Sequence, residues 1–230
     1  MDILSQISIG ATSIVYKALC QNKIVALKVM KDDKDGICKE AIGEICLLKQ
    51  LKHDYIITLY DVVFENRKTI LVLEYADMDL SYYIKYCPFN NQFMVQLCTA
   101  VAYCHQHCVI HGDIKPQNIL IKNEQIKLAD FGLSQKMIIS TKKSHNLVSL
   151  WYRCPELLLK QDFSYPIDVW SIGCVWYEYL TGQVLYKGAN EQDQLNLIKN
   201  KNYLPIEDHL LGELLTIDPA ERITCAELIK

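Results

Sequence analysis

The sequence predicts an α+β fold in two lobes, a small β-rich lobe with one key helix followed by a larger, mainly helical lobe. Three observations carry this. Strand-like runs rich in β-branched residues crowd into the first third. Helix-like apolar runs dominate after Asp77. The change of texture falls near residues 74–79, with no internal repeat, low-complexity tract or Pro/Gly-rich linker.

"SIVYKALC" and "KIVALKVM" read as strands separated by the turn-like "QNK". From about Cys38, "KEAIGEICLLKQL" sets Ala41, Ile45 and Leu48, with Ile42 beside them, at helical spacing. Two further strands are expected in "YIITLYDVVF" and "KTILVLEYA", around the polar "ENRK". After the change of texture, "NQFMVQLCTAVAYCHQH" reads as a helix, and "NILI" and "IKLA" as two short strands joined by "KNEQ". "PIDVWSIGCVWYEYLTG" is apolar almost all round, as a buried helix would be, with Gly182 placed to cap its end.

With 230 residues, half of them hydrophobic, the chain can bury a sizeable core. A net charge of −3 gives no basic excess, so nucleic acid is not expected as a direct partner. Ten cysteines without a C-x-x-C pair read as reduced thiols of an intracellular protein. No signal peptide and no membrane-length apolar run is visible. Only Arg67, Arg153 and Arg222 are arginine. The group Cys98, Cys104, His105, His107 and Cys108 holds zinc-type ligands, but their spacing suits a buried helix face better.

The chemistry concentrates in "VIHGDIKPQNIL", Val109 to Leu120, where Asp113, Lys115 and Asn118 share one loop between apolar anchors. "DFG", Asp130 to Gly132, follows at the end of a strand. Two carboxylates and an amide from adjacent loops suit a hard divalent cation such as Mg²⁺, which commonly shares its ligands with phosphates. A solvated loop or a turn would explain either piece alone, but not both at this separation.

These motifs resemble the catalytic loop H-R-D-L-x-x-x-N and the D-F-G turn of protein kinases. The resemblance runs along nearly the whole chain: "VALK" supplies Lys28, "EAIGEICLL" supplies Glu44, "CPE" (Cys154 to Glu156) stands where the family has A-P-E, and Arg222 stands where a partner for that Glu is expected. It implies a bilobal protein-kinase fold over residues 1–230, about 1–76 as N-lobe and 77–230 as C-lobe, shortened at the C-terminal end. It implies ATP and Mg²⁺ as cofactors. Asp113 would take or orient the proton of the attacking hydroxyl, and Lys115 would steady the γ-phosphate. Asn118 and Asp130 would hold Mg²⁺, while Lys28, fixed by Glu44, would hold the α- and β-phosphates. Adenine would lie between Ile7, Val15 and Ala26 above and Leu120 below, with hydrogen bonds to the backbone of Glu74 and Ala76 and with Asp79 near the ribose. Ser149 would brace Asp113.

"SLWYRCPELLL" and "HGDIKPQNIL" resemble the cyclin-dependent branch of the serine/threonine kinases. This implies protein substrates with Ser/Thr-Pro sites, Arg153 shaping the pocket for that proline, and a cyclin-like activator on the helix around Lys39–Leu51. It implies a nuclear or cytoplasmic location and a role in cell-cycle or transcription control. The chain also departs from the family. "SIGATSIV" keeps only Gly10 of the glycine-rich loop, the segment between "EQDQLNLIK" and "HLLGELLTIDP" is short, and the chain stops at Lys230 before the family's final helix is complete. These features leave a pseudokinase, a non-catalytic binding module, as the alternative. Finally, the three arginines that cage an activating phosphate in such kinases are replaced by Gly43, Gly112 and Gln135. Ser144 stands at about the phosphorylated position, with only Lys136, Lys142 and Lys143 nearby in sequence.

Overall fold

The computed structural model describes residues 1–31, 39–137, 148–200 and 209–230. Its first sheet is built from hairpins whose turns follow from the local sequence. β1 (Asp2–Ile9) meets β2 (Ser13–Cys20), and β2 meets β3 (Lys23–Met30) through Gln21 and Asn22, both with positive φ. The helix α1 (Lys39–Gln50) precedes β4 (Leu59–Glu65), which turns into β5 (Lys68–Glu74) through Asn66 and Arg67, again both with positive φ. Two consecutive left-handed residues make the turn that matches the twist of paired strands. The five strands are antiparallel in the order β1-β2-β3-β5-β4.

Strand alternation gives this sheet two distinct faces. Ala18, Val25, Leu27 and Val72 form a small outer core with Tyr16, Cys20, Val63 and Ile70. Ala26, Lys28, Leu71 and Leu73 point the other way, toward α1 and the rest of the molecule. On α1, Ala41, Leu47 and Leu48 are buried, but Ile42 is 49% exposed and does not belong to the packed stripe. Past α1 the chain is fastened to the second half of the molecule: Ile57 donates to the Leu128 carbonyl at 2.9 Å, and Leu128 donates to Tyr55 at 2.8 Å.

The second half opens with β6 (Met78–Asp79), α2 (Leu80–Tyr86) and α3 (Gln92–Gln106). The short strands β7 (Val109–Ile110), β8 (Ile119–Lys122), β9 (Gln125–Leu128) and β10 (Gln135–Lys136) follow. Then come α4 (Pro155–Leu158), α5 (Pro166–Thr181), α6 (Glu191–Lys199), α7 (His209–Leu214) and α8 (Cys225–Leu228). The expected buried helix is α5; Gly182, at φ +71°, caps it by donating to the Glu178 carbonyl. β8 joins β9 through Asn123 and Glu124, a third left-handed pair. Pairings β6–β8 and β7–β10 place the loops after β7 and β9 side by side. The large core runs from α1 through α3 and α5 to α8, with Phe93, Phe131 and Trp170 fully buried.

β1, α2 and α4 are elements that the hydrophobic pattern did not single out. β1 is exposed along its whole length. α2 and α4 are short and are fixed by tertiary contacts rather than by periodicity.

Candidate active site

Lys28 lies on the inner face of β3, 7% exposed, and its ammonium reaches three carboxylate oxygens. It donates at 2.7 Å to each oxygen of Glu44 on α1 and at 2.8 Å to Oδ1 of Asp130. Burial acts to lower the Lys28 pKa, but the two carboxylates outweigh it and hold the ammonium charged. Burial likewise acts to raise the Asp130 pKa, and the neighbouring Lys28 charge prevails and lowers it. Glu44 is 1% exposed, and burial raises its pKa. One cation facing two anions leaves the cluster net negative. The Asp130 side chain is 46% exposed, so that charge faces outward.

Asp113 sits in the loop between β7 and β8, with both carboxylate oxygens engaged. Oδ1 accepts from the backbone N–H of Ser149 at 3.0 Å and from its hydroxyl at 2.9 Å. Oδ2 accepts from Lys115 at 2.6 Å and from the Asn118 amide at 3.1 Å. Lys115 also donates to the Ser149 hydroxyl at 3.0 Å. The Asn118 amide nitrogen bonds the Asp113 carbonyl as well, at 2.8 Å, which turns its amide oxygen away from Asp113. The N–H of Ala129 donates to the Asn118 carbonyl at 2.9 Å, so the residue preceding Asp130 rests on this loop.

A residue not singled out from sequence anchors the loop. Asp168, near the start of α5, is fully buried. It accepts from the backbone N–H groups of His111 and Gly112, each at 2.9 Å, and lies 2.9 Å from His105 Nε2. Burial acts to raise its pKa, but the His105 bond and the nearby histidines reverse this and the net shift is downward. The available signal was an acid near the start of a mostly apolar helix that holds only one other, Glu178: a buried charge needs partners. Gly112 has φ +78°, a conformation glycine adopts without the steric penalty of a side chain. His107 bonds the Tyr103 carbonyl, the free thiols of Cys98 and Cys225 are hydrogen-bonded to each other, and Cys104 is buried, so the Cys/His group is distributed over separate hydrogen bonds and core packing.

The segment after residue 147 is shaped by Arg153. Val148 has φ +65°, its N–H donates to the Gly112 carbonyl at 2.7 Å, and its own carbonyl accepts from Arg153 Nε and Nη2 at 3.1 and 2.9 Å. Arg153 Nη1 is bound by Glu191 at 2.5 Å, a contact between distant segments that sequence reading missed. Arg222 meets Glu156 in a bidentate pair of 2.7 and 3.1 Å.

The remaining expected positions fall around the inner face of the sheet and the strand β8. Val15 pairs with Lys28 across β2 and β3, and Ala26 pairs with Leu73; both are half-buried. Ile7 on β1 is 50% exposed, and Leu120 on β8 is half-buried opposite Asp79. Glu74 ends β5, its N–H given to the Thr58 carbonyl at 2.8 Å and its buried side chain held by Lys122 at 2.8 Å. Ala76 lies half-buried between β5 and β6. Asp79 caps α2, accepting from Tyr82 N–H at 2.8 Å. The exposed turn at Gly10 is fastened to the end of β3: Lys31 Nζ donates to the Gly10 carbonyl at 2.6 Å, and Lys31 N–H to Thr12 at 2.8 Å. Of the three positions lacking arginine, Gly43 lies on an open face of α1, with nothing within 4 Å of a would-be Cβ, and Gln135 is in β10. Ser144, Lys142 and Lys143 lie outside the described residues.

The sheet with its single long helix, the helical second half and the paired loops between them together form one α+β architecture. A family model described as protein kinase domain matches residues 1–230. The chain therefore belongs to the protein kinase family, and its fold is the protein-kinase fold.

Proposed function

We propose that the chain is a catalytically active serine/threonine kinase of cyclin-dependent type, acting on Ser/Thr-Pro sites. The observation that carries this reading is the set of four donors around Asp113, two on each oxygen. Four donors fix the carboxylate in orientation, so a substrate hydroxyl meets a base that is already in place. The donor set also fits the family's use of Mg²⁺ and ATP: the outward-facing Asp130 carboxylate and the Asn118 amide oxygen are hard oxygen ligands, and the cluster at Lys28 carries an uncompensated negative charge. When bound, Mg·ATP supplies the phosphoryl group and the cationic charge that offsets its oxygens. Lys28 presents its ammonium to the phosphates. Asp113 accepts the proton from the Ser/Thr hydroxyl as the new oxygen–phosphorus bond forms and the bond to the β-phosphate oxygen breaks. Lys115 offsets charge on the group in transfer.

The geometry at Val148 supports a preference for proline after the acceptor. Its carbonyl is taken by Arg153, so an N–H on the next substrate residue finds no acceptor there. Proline has no N–H and loses nothing. A cyclin-like partner on α1 is part of the same reading, supported by the outward Ile42. The pseudokinase reading draws on the single glycine in the β1–β2 turn. The deciding assay is Mg·ATP-dependent phosphorylation of a Ser-Pro peptide, with and without cyclin, by wild type and by Asp113→Asn. Transfer by wild type that falls at least a hundredfold in the variant is expected, on the order of 2.7 kcal/mol; equal incorporation by both proteins would overturn the reading.

Phosphorylation of the activation segment is not expected to switch this kinase. A phosphate orders a loop through bidentate, charge-assisted bonds, and lysines do not reproduce a guanidinium fork. In place of one such arginine, Gly112 ties the loop backbone directly to Asp168 and Val148. Wild type, Ser144→Ala and Ser144-phosphorylated protein should share kcat/KM within a few-fold; a rise of about a hundredfold on phosphorylation would contradict this.

A further inference from the structure

We infer that Glu191, at the start of α6, is a positioning residue for proline specificity, acting through Arg153 on the Val148 carbonyl. The inference rests on the Ser/Thr-Pro reading and adds to it a residue distant in sequence. Its starting point is strain. Val148 is β-branched, 2% exposed and held at φ +65°, a conformation such residues rarely adopt unless their surroundings impose it. Two of its backbone groups are restrained, the N–H by Gly112 and the carbonyl by the fork of Arg153 Nε and Nη2.

That fork works only if the guanidinium stays put. Arg153 is a long side chain with several rotatable bonds, and a fork anchored on one side can swing. The other side is anchored by Glu191, through Nη1 at 2.5 Å. Glu191 is itself on rigid ground. Asn190 caps α6, accepting from Asp193 N–H at 3.0 Å. The chain before the cap is held as well: Gly188 N–H donates to the buried Gln194 side chain at 2.9 Å, and the Gly188 carbonyl accepts from Trp151 Nε1 at 3.1 Å. Trp151 lies between Val148 and Arg153 in the same segment. The start of α6 and the segment 148–153 are thus joined at two points, one through Trp151 and one through the Glu191–Arg153 pair.

The Arg153 side chain is 12% exposed and that of Glu191 is 50% exposed, so removing Glu191 breaks the anchor without opening a core cavity. With the anchor gone, the Val148 carbonyl is released from the fork and can turn to accept a backbone N–H. Substrates with alanine after the acceptor then gain a partner that proline cannot use.

The test compares kcat/KM for two peptides differing only in Pro or Ala after the acceptor Ser, using the full chain with its activator if one is needed. In wild type the Pro peptide is expected to lead by tenfold or more. In Glu191→Ala the Pro/Ala ratio should fall at least fivefold, mainly because the Ala peptide improves, with the thermal midpoint unchanged. Glu191→Gln, which keeps an acceptor oxygen for Nη1, should restore most of the ratio. General damage would lower both peptides together and leave the ratio intact. A wild-type preference that survives in Glu191→Ala within twofold overturns this inference alone, whereas a wild type with no preference overturns the Ser/Thr-Pro reading and the inference with it.

Discussion

Lys28→Met should abolish phosphoryl transfer and also destabilise the protein, and the two effects should separate in a second variant. The catalytic loss follows from removing a fixed cation aimed at phosphate charge. Loss of one preorganised donor of this kind costs about 10²–10³ in rate, on the order of 3 kcal/mol or more. From sequence alone the lysine would be expected to act on phosphate charge and not on the fold. The structure adds a second role, because Glu44 is 1% exposed and each of its oxygens accepts a bond from the Lys28 ammonium, its counter-charge on β3. Methionine fills the space but leaves a buried carboxylate without its counter-charge, and such uncompensated charges cost about 3–5 kcal/mol unless the group takes up a proton. Lys28→Met combined with Glu44→Gln should therefore recover most of the lost thermal midpoint while remaining inactive. A Lys28→Met protein that transfers phosphate at the wild-type rate would remove the basis for the proposed function.

The largest effect on stability alone is expected at Arg222. All five of its N–H donors are used: Nε on the Thr216 carbonyl at 2.9 Å, Nη1 on Glu156 and on the Pro166 carbonyl, each at 2.7 Å, and Nη2 on Glu156 and the Ile217 carbonyl at 3.1 and 3.2 Å. The guanidinium also lies 5.1 Å from the centre of the Trp170 ring. One side chain thus joins α4, the start of α5 and the chain before α8. Arg222→Leu strands Glu156, itself 2% exposed, and should cost about 3–5 kcal/mol. For a chain of this length that is a fall of roughly 10 °C in thermal midpoint. Arg222→Lys should rescue little, since a point charge cannot serve five acceptors in fixed directions. Arg222→Leu with Glu156→Leu should recover part of the loss. An unchanged midpoint in the single variant would show that the pair is dispensable.

The legible parts of this molecule were those whose cause is local. The turns at Gln21–Asn22, Asn66–Arg67 and Asn123–Glu124 declared themselves as polar breaks between apolar runs, and α5 by its apolar length with Gly182 behind it. The Lys28–Glu44 and Arg222–Glu156 contacts were expected through resemblance, and their geometry agrees. What stayed hidden was set by tertiary packing. β1 and the short α4 carry no periodic signature. Asp168 was passed over as one of two acids in a mostly apolar helix, and nothing in the sequence says that its partners include two backbone N–H groups more than fifty residues earlier. The contact of Arg153 with Glu191 likewise depends on how α6 is delivered to the segment before α4. Ile42 shows the opposite error: helical spacing alone grouped it with residues that are buried, whereas it faces out.

The tie between Asp168 and the loop at His111 and Gly112 bears on how the molecule breathes. Amide hydrogens exchange with solvent only when their bonds open, and the opening free energy differs from one part of a protein to another. The amides of His111 and Gly112 point at a carboxylate with no exposed surface, on a helix at the centre of the large core. They cannot open without dislodging α5, so their exchange should track unfolding of the helical lobe as a whole. The strand β1, exposed along its entire length, should exchange orders of magnitude faster. The segment that presents Asp113 therefore belongs to a slow-opening unit of the protein, while the strand β1 belongs to a fast one.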